Sequence, residues 1–180
     1  PDGCVVTETV TVNVELNPPQ PVMPDHLIVC ENSSVDITVS GAQNYSWSPN
    51  INISNTNTNS VTIIASQSMY YYCEFSNACA TEMDSVFIEV VEANIFAGND
   101  TIMCPGESAQ IWASGGVSYV WSPAAGLSNP YTSITTATPS VPTTYTVTGT
   151  DVNGCTETAS VFVDLYPRPY VQTNPNVYAF

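Results

Sequence analysis

The chain has no lysine, one arginine (Arg168) and one histidine (His26) against 16 acidic residues, for a formal net charge of −15. Nucleic-acid binding needs cationic side chains that displace phosphate counterions, and an anionic membrane surface makes the same demand, so both partner classes are excluded. The scarcity also argues against an enzyme. With His26 placed just after a Pro-rich stretch and no lysine as an alternative base, the groups that activate a nucleophile are missing. No Cys/His cluster has zinc spacing, and Asp151-Val152-Asn153-Gly154 lacks the acidic twelfth-position ligand of a calcium loop, where Phe162 stands. No cofactor and no metal are therefore expected. No apolar run approaches the roughly 20 residues that span a bilayer, and no segment has helical periodicity.

What the chain does have is uncharged polarity and alternation. Thr, Ser and Asn number 21, 19 and 16 of the 180 residues, yet 43% of the residues are hydrophobic, so the chain is not a disordered acidic tail. The hydrophobic residues recur at every second place. Val35, Ile37 and Val39 form one such run and Ala109, Ile111 and Ala113 another, each followed by a turn and a strand with Tyr and Trp two residues apart. These two runs are copies. Cys30, Tyr45, Trp47 and Pro49 recur as Cys104, Tyr119, Trp121 and Pro123, all at an offset of 74 residues without a gap. Residues two apart share a strand face, so each Tyr and Trp point the same way, and a strand-borne Trp is the expected filling between two sheets.

The period sets the organisation. Residues 1–16 read as the last strand of a preceding domain, since Val6, Val10, Val12, Val14 and Leu16 alternate as the closing strands of the two copies do. Residues 17–23 form a Pro-rich linker, 24–92 the first repeat, 93–165 the second, and 166–180 a linker and the start of a following domain. Strands are expected over 61–65, 69–75, 85–91, 119–122, 145–150 and 160–165. About seven short strands per repeat, without helices, specify an all-β fold of tandem immunoglobulin-like β-sandwiches. The orphan strand needs a sheet to join: in a preceding domain, or in a neighbouring subunit by strand donation.

Domains this small need staples, and six cysteines fit an oxidising, secreted setting. The disulfide candidates are Cys30, Cys79, Cys104 and Cys155. The repeat suggests Cys30 with Cys79 and Cys104 with Cys155; Cys73 with Cys79, across a tight hairpin, is a competing pair, and Cys4 or Cys73 left over could bridge chains. The interface candidates are aromatic: Trp112, whose counterpart in the first repeat is Thr38, and the run Tyr70, Tyr71 and Tyr72.

These residues resemble the immunoglobulin-like and polycystic-kidney-disease-like repeats of large bacterial surface adhesins exported by the type IX secretion pathway. The motifs that carry the resemblance are Cys104-Pro105-Gly106-Glu107-Ser108, Tyr119-Val120-Trp121-Ser122-Pro123, Gly126-Leu127-Ser128-Asn129-Pro130, Thr143-Thr144-Tyr145-Thr146-Val147-Thr148 and Asp151-Val152-Asn153-Gly154-Cys155. The first repeat departs from them, with Glu31-Asn32-Ser33-Ser34 in place of the Pro-Gly-Glu-Ser turn. The resemblance implies a non-catalytic stalk or filament segment, extracellular on the cell surface. Its partners would be neighbouring domains or copies of the same protein, a cell-surface glycan or protein, and, in a homo-oligomer, further copies of the chain. It also implies that Asp84-Ser85-Val86 and Asp100-Thr101-Ile102 have the lettering of O-glycosylation acceptors. The alternatives are a glycan-binding module, in which Tyr70–Tyr72 and Trp112 stack on sugar, and an appendage of a secreted hydrolase.

Overall fold

The alternating runs become strands, 13 in all among the described residues, with no helix. The computed structural model describes residues 8–10, 19–78 and 80–167. The chain divides into two compact units, Pro1–Val90 and Val91–Phe180. Most of the orphan strand, the first residues of the linker, Cys79 and the segment after Pro167 lie outside the described residues; Glu8–Val10 are described and are in no strand.

In the first unit β1 (His26–Cys30), β6 (Thr81–Val91), β5 (Met69–Ser76) and β3 (Asn44–Ser48) form one sheet in the order β1-β6-β5-β3. The second sheet pairs β2 (Ser34–Thr38) with β4 (Ser60–Ile64). In the second unit the order is β10 (Ser118–Ser122), β12 (Thr143–Thr150), β13 (Thr156–Leu165) and β8 (Thr101–Met103), facing β11 (Ile134–Ala137), β9 (Ala109–Ser114) and β7 (Phe96–Ala97). β8 lies parallel to β13, with Thr101 beside Val163 and Met103 beside Leu165; the other pairs in this unit are antiparallel.

The offset of 74 carries through to single hydrogen bonds. The Trp47 indole donates to the Thr58 carbonyl at 2.9 Å, and the Trp121 indole to the Thr132 carbonyl at the same distance. The Tyr71 hydroxyl donates to Ile51 O at 2.8 Å and the Tyr145 hydroxyl to Ala125 O at 3.1 Å. Tyr45 and Tyr119 close the turn before their strands, each bonding the amide and carbonyl three residues back, at Ala42 and Gly116. Both indoles are buried with their polar edge satisfied, which is what makes a central Trp stabilising rather than costly. Around Trp47 the core holds Ile37, Val39, Val61, Ile63, Val86 and Ile88; around Trp121, Ile111, Val147, Val161 and Val163 are equally enclosed.

One core exchange departs from simple repetition. Phe75 fills the first unit near the end of β5, but its counterpart is Gly149, and the space is taken by Ile95 from the start of the second unit. A Cβ on Gly149 would stand 2.5 Å from Ile95 Cδ1. The same volume is filled from a different point in the chain, which alternation within a single strand does not reveal.

Candidate functional site

The aromatic candidates separate by strand parity. On β5, Tyr70 and Tyr72 point outward and are 51% and 40% exposed, whereas Tyr71 faces the core at 2%. Tyr71 is therefore not an interface residue: neighbours one apart on a strand point to opposite faces, and its hydroxyl is spent on Ile51. Burial raises the phenol pKa of Tyr71, and that of its twin Tyr145.

Tyr70 and Tyr72 belong to a larger surface cluster. Their rings stack at 6.2 Å, Tyr70 lies 4.8 Å from Phe87 across the β5–β6 pair, and Phe87 in turn stacks on His26 at 5.7 Å. His26 Nε2 lies 2.8 Å from Glu89 Oε2, an exposed contact that fixes the imidazole over Phe87. The alternation of β5 makes Glu74 the next outward residue after Tyr72. The result is a row of rings with carboxylates at its sides, drawn from three adjacent strands. Phe87 and His26 were missed in the sequence because they join Tyr70 only through strand pairing.

Trp112 is exposed, as its place on β9 requires, at 45%. It sits opposite Ile134 on β11, while Phe96 on β7 stands opposite Ser114, so three large apolar side chains share the outer face of that sheet. Gly98 lies directly beneath the indole, where a Cβ would stand 2.8 Å from Nε1.

The cysteines depart from one of the two pairs that the repeat suggests, and from the competing pair. Cys104 is a free, exposed thiol and Cys155 is disulfide-bonded, so these two are not joined to each other. The parallel register explains why. Leu165 lies beside Met103, which puts Cys104 at the end of the 10-residue β13 while Cys155 precedes its start, roughly 33 Å away along an extended strand. A disulfide needs Cα atoms within about 7 Å. Cys73 is also free, and fully buried opposite Trp47, so it does not bridge to Cys79. Burial pushes its thiol up to about 11. It acts as a small apolar core residue where the second unit has Val147. Cys30 is disulfide-bonded, and Cys79 lies outside the described residues.

The Asp151 loop is a turn closed on itself. Asp151 Oδ1 accepts from the Asn153 and Cys155 amides at 2.9 and 2.8 Å, and Gly154 has φ of 85°. Among the described residues no group of three or more His, Cys, Asp or Glu side chains is placed to hold a metal ion, and no helix is long and apolar enough to cross a membrane.

Two facing sheets, a buried Trp on an edge strand of one of them and a buried Tyr whose hydroxyl returns to upstream backbone define an immunoglobulin-like β-sandwich. The chain is a tandem of two such sandwiches. No protein-family model and no curated protein matches it. Among solved structures it is similar to Sidekick-1 immunoglobulin domains 1-5, with TM-score 0.42 and 13% identity over 84% of this chain and 40% of that one. It is also similar to the insect immune protein hemolin, with TM-score 0.42 and 16% identity over 87% of this chain and 49% of that one. The titin domains z1z2 in complex with telethonin give 0.36 and 14% over 85% and 98%. The chain thus spans under half the length of the first two. At these identities the likeness extends to the fold alone.

Proposed function

We propose that this chain is a non-catalytic structural segment of an exported bacterial surface adhesin, acting as part of its stalk or filament. The observation that carries this is the duplicated framework: the same Trp and Tyr side chains spend their polar atoms on the same backbone carbonyls in both units. Repetition at this level suits a module whose role is to recur, because each copy brings its own core. The motif set of the second repeat, and a composition in which solubility rests on Thr, Ser and Asn, support an extracellular setting. Antibody labelling of thin sections of source cells under the electron microscope tests it. Labelled fibres or coat outside the cell are expected; label confined to the cytoplasm overturns the proposal.

A second reading, a glycan-binding face on the first unit, draws on the ring cluster of Tyr70, Tyr72, Phe87 and His26 with Glu89 at its edge. Sugar rings stack on exposed aromatics, and acids at the rim hydrogen-bond their hydroxyls. A glycan array read with the native chain and with Tyr70→Ala/Tyr72→Ala decides it: binding lost in the double variant supports this face, and no binding by the native chain sinks it.

A further inference from the structure

We infer that Cys104 is a covalent attachment point, forming a disulfide with a loop cysteine of the Cys155 kind on another sandwich of this repeat. An exposed thiol alone would not support this; the support is its twin. Cys30, at the offset of 74, is disulfide-bonded, and the two cysteines are presented by one and the same turn. The Ser33 amide bonds the Cys30 carbonyl at 3.1 Å and the Glu107 amide the Cys104 carbonyl at 3.0 Å. The third turn residue has positive φ in each, 59° at Asn32 and 93° at Gly106. Cys30 ends β1 and Cys104 directly follows β8, each strand lying at the edge of its sheet, so the turn that presents the bonded Cys30 is repeated at Cys104.

The chemistry of the partner follows from the other bonded cysteine. Cys155 closes the self-bonded Asp151 loop, and the Asn/Asp-Gly/Ala-Cys lettering occurs three times, at Asp2-Gly3-Cys4, Asn77-Ala78-Cys79 and Asn153-Gly154-Cys155. Strand-end and loop cysteines stand at opposite ends of the second sandwich, so this strand-end thiol meets its loop cysteine only on another sandwich. Cys73, being enclosed, cannot compete. The bond forms by oxidation of two thiols, which lose two electrons and two protons to a small-molecule or protein disulfide. That oxidant passes through a mixed disulfide and is released as two thiols. The link would turn a row of separate sandwiches into a covalently tied one.

The test is peptide mapping of the full-length native protein, alkylated with N-ethylmaleimide on intact cells before denaturation and digested without reduction. Cys104 should be recovered unalkylated, in a disulfide with a peptide carrying an Asn/Asp-Gly/Ala-Cys sequence. Reduction separates two sources of that peptide: unchanged chain mass on a gel places it in the same polypeptide, and a fall in mass places it in a second copy. Cys104 recovered alkylated, or joined to glutathione or to a cysteine outside that loop sequence, overturns the inference. Cys104→Ser in the full-length protein should lose the linked peptide while keeping the native circular dichroism spectrum. A linked peptide of unchanged yield in that variant would contradict it.

Discussion

The two sandwiches repeat one core plan, each in its own interior, and differ in their outer faces. In the first unit the β2–β4 face is mostly polar, with Ile64 as its exposed apolar residue: Thr38 and Ser60 hydroxyls meet at 3.0 Å, and Thr62 donates to Asp36 at 2.6 Å. Its aromatics stand on the other sheet, as Tyr70, Tyr72 and Phe87. In the second unit the polar pair Thr38–Ser60 becomes Trp112–Ile134, and the tyrosines become Thr144 and Thr146. Repeats of this kind keep what the interior needs and vary what solvent or a partner meets. Individuality, and hence any recognition, belongs to the faces.

The shared core gives the largest predicted effect. Trp47→Ala and Trp121→Ala should each destabilise its own unit by about 3–5 kcal/mol, since each leaves a cavity and an unpaired carbonyl. Urea unfolding followed by a probe in each unit checks this. A cost below about 1 kcal/mol for either would mean that the two cores are not equivalent.

One glycine pair sets the two units apart. Gly41 and Gly115 are twins in the turn before the Tyr-Trp strand, with φ of 101° and 93°. A Cβ at Gly41 finds only Gln20 O at 3.9 Å, whereas at Gly115 it would lie 1.8 Å from Asn94 O. Gly41→Ala should cost about 1–2 kcal/mol from the backbone alone. Gly115→Ala should cost more than that and shift the local backbone, as thermal unfolding would read.

The buried thiol of Cys73 makes a pH asymmetry. Burial, chiefly, with a smaller contribution from the Asp84 charge, raises Cys73 from its ordinary value of 9.0 to about 11, against a hydrogen bond from Ser46 that acts the other way. The fold prefers the neutral thiol, so the contribution is fully present below pH 9 and is lost as pH rises from about 9 through about 11. The first unit should lose stability in that window before the second, and Cys73→Val should abolish the difference. Equal alkaline sensitivity in Cys73→Val and native chains would contradict this. The smallest effect is on the surface: Tyr72→Thr should change stability by less than about 1 kcal/mol, because Tyr72 is half exposed and its twin is already Thr146.

Much of this was legible in the sequence, for physical reasons that also set the limit. Alternation and an unbroken offset located the central Trp residues and most strands, because side-chain period and core volume are both written locally. Strands came out longer than expected, β13 beginning at Thr156 and not near Ser160, since its first residues pair with β12 while both faces are wet. Short β1, β7, β8 and β11 were not foreseen, having two to five residues and too little alternation to see. The parity of Tyr70–Tyr72 was available, as Tyr71 aligns with Tyr145. The disulfide pattern was not, because recurrence shows that two positions matter but not at which end of a sandwich each lies. That depends on β8 running parallel to β13.

The three indole N–H groups report on both equivalent cores and on one of the differing faces. In hydrogen–deuterium exchange followed by NMR, Trp47 and Trp121 should both be strongly protected, each bonded to a backbone carbonyl within its core, and Trp112 should exchange rapidly on its exposed face. Two slow resonances and one fast one are the predicted result. A Trp112 signal as slow as the others, or either core indole exchanging as fast as Trp112, would contradict the account.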